Sequence, residues 1–347
     1  MKKTIVTASV LAMLVLLACL SGCSREKTVL YVYTWADYIK PELIAQFERE
    51  EQCTVVIDTF DSNEVMYAKL RAGASGYDIV TPSSYMVKIM HDQGMLQKLD
   101  HSLMPNLKHV DPEYLKIALD PTMDHSVPYM LTTTVIAYLK SMVPDFEPSW
   151  AMFGRREYRG RMTMLNDMRE TLGAALKFLG CSINSTDDQE LARARDVVIG
   201  WKQNLAKFEN EQYKTGLASK EFFITQGYSG DIMAVQEEND DIAYAVPSEG
   251  TSIACDDFVI LKSARRADLA HRFINFLHAP EAAAQNTDAV KYLCPNAASY
   301  RLLPQEILDD PTIFLPEGIR KKCEVINDVG PANAKYTAMW DQVKAAP

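Results

Sequence analysis

Strand-like and helix-like segments alternate through the N-terminal part of this chain, and this alternation constrains the fold more than any other feature. The strand-like segments, rich in β-branched and aromatic residues, occupy residues 29–34, 54–60 and 77–80. Between them, Pro41 opens an apolar-faced helix at a position that proline tolerates. Asn63 is predicted to cap a second helix that ends at Gly73. A β-α-β-α-β order predicts an α/β fold with a parallel sheet and right-handed crossovers.

The rest of the chain continues this mixed pattern. Residues 129–139 form a long β-rich run, which we expect to pass from one domain to another. Further strands are predicted at 161–166, 242–246 and 258–261, and helices at 170–179, 186–208 and 267–277. The length suits two domains of ordinary size. Because no polar linker separates them, we expect more than one crossing between the two domains.

The N-terminus has the pattern of a secretion signal. Lys2 and Lys3 precede an apolar run from Ile5 to Leu20, which is short for a membrane span. The run ends in Leu-Ser-Gly-Cys, which resembles the processing signal of bacterial lipoproteins. We therefore predict a signal peptide over residues 1–22 and a lipidated Cys23 that anchors the protein to a membrane without spanning it. An ordinary signal peptide with an accidental cysteine is the alternative.

Charge and cysteine content narrow the class of ligand. Removing Lys2 and Lys3 from 36 basic residues leaves 34 against 46 acidic ones, a formal charge of −12, which argues against a nucleic-acid partner. The other cysteines form no C-x-x-C motif, and we interpret them as buried apolar residues rather than a metal or redox site. We predict neither a metal nor a cofactor. Their odd number leaves at least one free within a single molecule: Cys53, Cys181, Cys255, Cys294 and Cys323.

Catalytic motifs are absent from the sequence. It contains no P-loop, no G-x-G-x-x-G and no H-E-x-x-H. Residues 227–231 read Gly-Tyr-Ser-Gly-Asp, which begins like a nucleophile elbow but has aspartate where the motif requires its last glycine. We therefore predict that the protein is not an enzyme.

Acids and aromatic residues instead gather at the predicted ends of strands and helices. Trp35, Asp37 and Tyr38 directly follow the first strand, where ligands bind in open α/β sheets. Further candidates in similar positions are Ser83, Tyr85, Asp167, Glu170, Tyr228, Asp231, Asp256 and Tyr292. Aromatic faces combined with carboxylates suit an organic cation with an alkyl stem.

Several of these residues also have simpler interpretations. Asp167 and Glu170, three residues apart, can merely complement the dipole of the helix that they open. Asp231 can be a helix cap, Trp35 a core residue, and Asp256 with its neighbouring acid a solvated turn before a strand.

Taken together, these segments resemble the spermidine/putrescine-binding proteins, the solute receptors of polyamine ABC transporters. The resemblance covers nearly the whole mature chain and rests on 30–38, 61–73, 77–87, 166–170, 292–298 and 327–330. It implies a two-lobed periplasmic-binding-protein fold of type II with the ligand in the interlobe cleft. The first lobe would contain 27–136 plus 256–300, and the second 137–255 plus 301–347.

The resemblance also assigns a ligand-binding role to all eleven candidates. Three positions depart from the spermidine-binding pattern, because Tyr228 and Ala254 replace tryptophans and Ile326 replaces a glutamine. Asp231 and Asp37 match residues of the putrescine-binding members. We therefore expect putrescine to bind at least as well as spermidine.

The predicted function is that of a monomeric polyamine-binding lipoprotein, held on the periplasmic or cell-surface side of a bacterial membrane, which delivers its ligand to an ABC transporter permease. A secreted hydrolase that uses Asp167 and Glu170 is the alternative from another class. A receptor-like adhesin or polyamine sensor is a third.

Overall fold

The computed structural model describes residues 28–115 and 118–347. The predicted signal peptide and Cys23 lie outside these residues. The strands within the described ranges are β1 (Thr28–Thr34), β2 (Cys53–Thr59), β3 (Ile79–Val80), β4 (Val127–Leu139), β5 (Met162–Met164), β6 (Leu205–Phe208), β7 (Ile224–Tyr228), β8 (Ile242–Ala245), β9 (Ser252–Ile260) and β10 (Glu324–Val325).

Helices cover these strands on both halves of the molecule. They are α1 (Pro41–Glu51), α2 (Asn63–Arg71), α3 (Ser84–Asp92), α4 (Pro112–Leu115), α5 (Met168–Phe178), α6 (Asp188–Lys202), α7 (Gln212–Ala218), α8 (Ser229–Glu238), α9 (Ala267–Leu277), α10 (Pro280–Val290), α11 (Gln305–Asp309), α12 (Glu317–Arg320) and α13 (Asn333–Ala345). In the part of the chain that the structure describes, none of these helices combines the length and apolarity that a membrane crossing requires.

The first half of the sheet confirms the predicted α/β arrangement. Strand β1 pairs in parallel with β2 on one side and with β3 on the other, and β3 continues the sheet by antiparallel pairing with β9. Leu30 and Val32 of β1 pack against Phe47 of α1 and Phe273 of α9 in one buried cluster. These strands therefore form one half of the fold, in which β1, β2 and β3 run in one direction and β9 runs opposite to them.

Strands β4 and β9 connect the two halves. The beginning of β4 pairs antiparallel with β9, and its last residues, from Thr134 onward, pair with β7 and β8. The run predicted to cross between domains therefore does so. Strands β5, β6 and β7 build the second half, whose core surrounds Trp150 and Phe153. The residue limits of the two lobes stay a prediction.

Three local predictions were wrong, and one strand was missed. The helix predicted over 186–208 ends at Lys202, and residues 205–208 form β6, which pairs with β5. Ser62, rather than Asn63, caps α2, because its hydroxyl accepts the amide hydrogen of Val65. The turn proposed as an alternative at Asp256 is part of β9, since pairing with β4 extends this strand back to Ser252. Strand β7 was not predicted.

Candidate functional site

A deep cleft lies between the two halves of the molecule, beside the crossing strands β4 and β9. It encloses about 820 Å³, including the part that is open to solvent at its mouth. Ten of the eleven predicted site residues line this cleft: Trp35, Tyr38, Ser83, Tyr85, Asp167, Glu170, Tyr228, Asp231, Asp256 and Tyr292. The fold thus brings together residues that are scattered through more than 250 positions of sequence.

Asp256 lies at the base of the cleft on the first half. It is 6% exposed, and it accepts hydrogen bonds from the Tyr38 hydroxyl and, at 2.6 Å, from Ser83 Oγ. Burial raises the pKa of Asp256 to about 6, although these two hydrogen bonds act to lower it. Keeping this carboxylate ionised therefore carries a cost that a bound cation would offset.

Glu170 is a second buried carboxylate, held on the other half by the first turn of α5. It accepts hydrogen bonds from Ser252 Oγ and, at 2.8 Å, from Thr134 Oγ1. Burial, followed by the charge of Asp167, raises the pKa of Glu170 to about 7. Its two hydroxyl donors come from the crossing strands β4 and β9, so these strands fix its position.

Asp167 has two roles at the start of α5. Its side chain caps the helix by accepting the amide hydrogens of Arg169 and Glu170 at 2.8 and 3.0 Å. It also lines the cleft, and burial raises its pKa. The simple interpretation of Asp167 as a residue that complements the helix terminus is therefore correct, but it does not remove this acid from the cleft.

Asp231, in the first turn of α8, has three polar neighbours. The Tyr292 hydroxyl donates to Asp231 Oδ1 at 2.8 Å, the Tyr213 hydroxyl donates to Oδ2, and Lys214 Nζ lies 3.7 Å from Oδ2. Its side chain does not cap α8, so that alternative was wrong. The hydrogen bond from Tyr292 therefore joins two residues of the cleft lining that are 61 positions apart in the sequence.

Aromatic rings form the walls between these acids. Trp35 packs on Phe60 with ring centroids 4.4 Å apart, and Tyr38 lies 5.5 Å from the ring of Tyr292. The Tyr85 hydroxyl donates to Glu64 at 3.1 Å. Trp35 therefore contacts both the core and the cleft, so its two interpretations are compatible.

Asp37 is the one predicted residue that the structure places outside the cleft lining. Its side chain is 88% exposed, and its φ of 52° turns the loop after β1 toward solvent. The nearest cation is Lys214, at 3.8 Å. The position after a strand end suggested a direct ligand contact, but the structure leaves this carboxylate exposed to solvent beside Lys214.

Several residues around the cleft were not found from the sequence. Lys214 lines it, Asn63 orients Ser83 through hydrogen bonds to its amide and hydroxyl, and Glu64 is paired with Tyr85. Burial and the charge of Asp167 raise the pKa of Glu64 to about 7. A lysine in a short polar helix gives no sequence signal, because its significance depends on which acids surround it.

The described residues contain neither a cluster suited to a metal ion nor a disulfide bond. The histidine, cysteine and acidic side chains there form no group of three or more suited to a metal ion. All five cysteines between Cys53 and Cys323 are free thiols. The groups that the cleft offers to a ligand are carboxylate and hydroxyl oxygen atoms and aromatic faces.

Comparisons with known proteins agree with this geometry. Residues 42–315 match the model of the family described as bacterial extracellular solute-binding protein. The spermidine/putrescine-binding periplasmic protein of Escherichia coli (strain K12) is 33% identical over 322 residues, which is 92% of each chain. The putrescine-binding periplasmic protein PotF of the same organism is 32% identical over 343 residues, with 93% of each chain covered.

Solved structures show the same two-lobed fold. A putative spermidine/putrescine ABC transporter protein from Listeria monocytogenes superposes with a TM-score of 0.88 at 33% identity, covering 92% of this chain and 100% of that one. The Tp0655 lipoprotein of Treponema pallidum gives 0.82 at 36% identity, with 91% and 99% covered. This chain therefore belongs to the bacterial extracellular solute-binding proteins, within the group of the spermidine/putrescine-binding proteins.

Proposed function

We propose that this protein is a polyamine receptor, which holds putrescine or spermidine in the cleft and delivers it to the membrane permease of an ABC transporter. One observation carries the proposal: Asp256 and Glu170 are buried carboxylates in one cleft, and within the described residues neither forms a salt bridge. Arg169 also lines the cleft, but its charge acts on Glu170 without an ion pair between them. Burying an unpaired charge costs several kcal/mol. A ligand that carries ammonium groups supplies the missing charge.

The rings of the cleft would contact the methylene chain between the ammonium groups. Trp35, Tyr38, Tyr85 and Tyr292 present apolar area, and their faces favour a nearby cation. Ala254 also lines the cleft and is much smaller than the tryptophan of the spermidine-binding pattern. The aromatic enclosure is therefore less complete here, and the acids must supply more of the binding free energy.

The relatives support the same ligand class. The two Escherichia coli relatives are named for binding spermidine and putrescine, and a 30% identical protein of Pseudomonas aeruginosa is named for binding putrescine and cadaverine. A hydrolase that uses Asp167 and Glu170 finds no support, because Asp167 is a helix cap and Glu170 accepts two hydroxyl hydrogen bonds. We therefore propose binding without chemical conversion.

Titration calorimetry with the mature chain tests the proposal. We expect saturable binding of one polyamine per protein and no binding of a neutral diol of the same length. Mass spectrometry of the ligand after release should recover it unchanged. Absence of binding to putrescine, cadaverine and spermidine would refute the proposed function, and a converted ligand would refute the absence of catalysis.

We further propose that the protein acts as a monomer, anchored to the membrane through lipidated Cys23. The described residues complete the cleft from a single chain, which is what a monomeric receptor requires. Metabolic labelling with palmitate should mark the native protein but not a Cys23→Ala variant. Light scattering coupled to size exclusion should give the mass of one chain.

A further inference from the structure

Lys214 places a permanent ammonium group inside the binding cleft. It belongs to α7, and its side chain is 22% exposed. Its Nζ lies 3.2 Å from Glu211 Oε2, 3.7 Å from Asp231 Oδ2 and 3.8 Å from Asp37 Oδ2. Burial alone would lower the pKa of Lys214, but Asp231 and Glu211 raise it, so this lysine is charged at neutral pH.

The acids of the cleft differ in the groups that surround them. Asp256 and Glu170 receive hydrogen bonds only from hydroxyl groups and, within the described ranges, have no ion-pair partner. Asp231 has the ammonium of Lys214 beside it and accepts two phenol hydrogen bonds as well. Among the described residues, Asp256 and Glu170 thus have no cation in contact, while the half-buried Asp231 already has one. Asp167, a further acid of the cleft lining, is bound by the backbone amides of Arg169 and Glu170 and lies near the charge of Arg169.

We propose that Lys214 is a specificity-determining residue, which neutralises Asp231 in place of a ligand ammonium and so makes the cleft selective for diamines over triamines. The inference rests on the proposed polyamine-binding function. Two unpaired carboxylates match the two ammonium groups of a diamine. A third ammonium would meet an acid that is already paired and would be repelled by Lys214.

Lys214 changes the role that the sequence predicted for Asp231 and Asp37. From the sequence, we expect Asp231 and Asp37 to favour putrescine by contacting it directly. In the structure both acids are neighbours of Lys214, and Asp37 lies outside the cleft lining. The selectivity therefore comes from a positive charge that excludes the longer ligand.

Calorimetry on variants of the mature chain tests this role. The ligands are putrescine, cadaverine and spermidine, and the variants are Lys214→Gln, Lys214→Arg and Lys220→Gln. Lys220 is the matched control, because it also pairs with an aspartate, Asp241 at 3.0 Å, but does not line the cleft. For Lys214→Gln we expect the affinity ratio of spermidine to putrescine to rise by about tenfold or more, equivalent to about 1.4 kcal/mol.

Two further variants distinguish the loss of the lysine charge from general damage to the fold. Lys214→Arg retains the charge and should keep the preference of the wild type. Combining Lys214→Gln with Asp231→Asn should cancel the gain for spermidine, because the acid that Lys214 had occupied is then removed. A double variant that keeps the gain would overturn the proposal.

The outcomes separate this inference from the proposed function. If the wild type binds polyamines but the ratio is unchanged in Lys214→Gln, the role of Lys214 is refuted and the function stands. If Lys220→Gln shifts the ratio equally, the effect is a general one of net charge, and the inference is again refuted. A wild type that binds none of the three ligands would refute the function itself.

Discussion

Asp256→Asn should abolish most polyamine binding while leaving the unliganded protein folded. The substitution keeps the shape of the side chain and removes its charge. Asp256 is 6% exposed, its only strong partners are the hydroxyls of Tyr38 and Ser83, and it has no ion-pair partner in the described ranges. Removing one partner of a buried charge pair costs about 2–5 kcal/mol. We therefore expect the dissociation constant to rise by about 30-fold to about 4000-fold.

The unliganded protein should respond differently. The pKa of Asp256 is raised from 3.8 to about 6, so its ionisation above pH 6 costs the folded state about 3 kcal/mol relative to the unfolded chain. Asparagine removes this cost but satisfies the two hydroxyl donors less well, at about 1 kcal/mol for each hydrogen bond. The thermal midpoint of the unliganded variant at pH 8 should therefore be equal to that of the wild type or higher.

Asp257→Asn is the matched control for this experiment. Asp257 is the adjacent residue, is 2% exposed and has a pKa that burial raises to about 7, but it bonds to Ser84 and does not line the cleft. Calorimetry with putrescine and spermidine at pH 8 compares the two variants. Equal losses in both, or wild-type affinity in Asp256→Asn, would contradict the role assigned to Asp256.

Three further predictions concern pH, closure and the aromatic wall. Burial raises the pKa values of Glu170 to about 7 and Asp256 to about 6. Polyamine affinity should therefore be full at pH 8 and fall as the pH is lowered to 6, with protons released on binding in that window. The stability of the unliganded protein should instead rise as the pH is lowered from 8 to 6, since its folded state binds more protons than the unfolded chain. Affinity independent of pH between 8 and 6 would contradict this. A Cβ on Gly230 would lie 2.8 Å from both the Lys291 carbonyl oxygen and the ring of Tyr292, which lines the cleft. Gly230→Ala should therefore displace Tyr292, weaken binding and prevent the decrease in radius of gyration that we expect when wild type closes on its ligand. Small-angle scattering that shows no change in wild type would argue against hinge closure. Trp35→Ala should weaken binding of every polyamine by at least about 1 kcal/mol through lost ring contact, and an undiminished affinity in calorimetry would exclude Trp35 from the ligand wall.

Local patterns in the sequence were sufficient for much of the fold. The helix predicted over 267–277 is α9 with the same limits, because one apolar face and polar flanks specify an amphipathic helix without reference to the rest of the chain. The alternation of strands and helices before residue 81 likewise predicted a parallel sheet, and β1 pairs in parallel with β2 and β3. Such features depend on residues a few positions apart.

Short local patterns failed where a partner distant in sequence decides the structure. The local sequence predicts that residues 205–208 end a polar helix, but in the structure they pair with β5 as a strand. The local sequence favours an exposed turn at Asp256 and Asp257, but pairing with β4 makes both acids part of β9. In both cases the hydrogen bonds of the sheet outweigh a weak local preference.

The sequence by itself determined the class of fold, the family and the set of acids and aromatic residues that meet in the cleft. Tertiary structure alone decided what each acid does, because the charge state and availability of a carboxylate depend on its burial and neighbours. Asp256 accepts a hydrogen bond from the hydroxyl of Tyr38, which lies 218 positions away in the sequence. Asp231 is paired with Lys214, and Asp37 is exposed to solvent. The sequence had predicted the same role, direct contact with the ligand, for Asp37, Asp231 and Asp256.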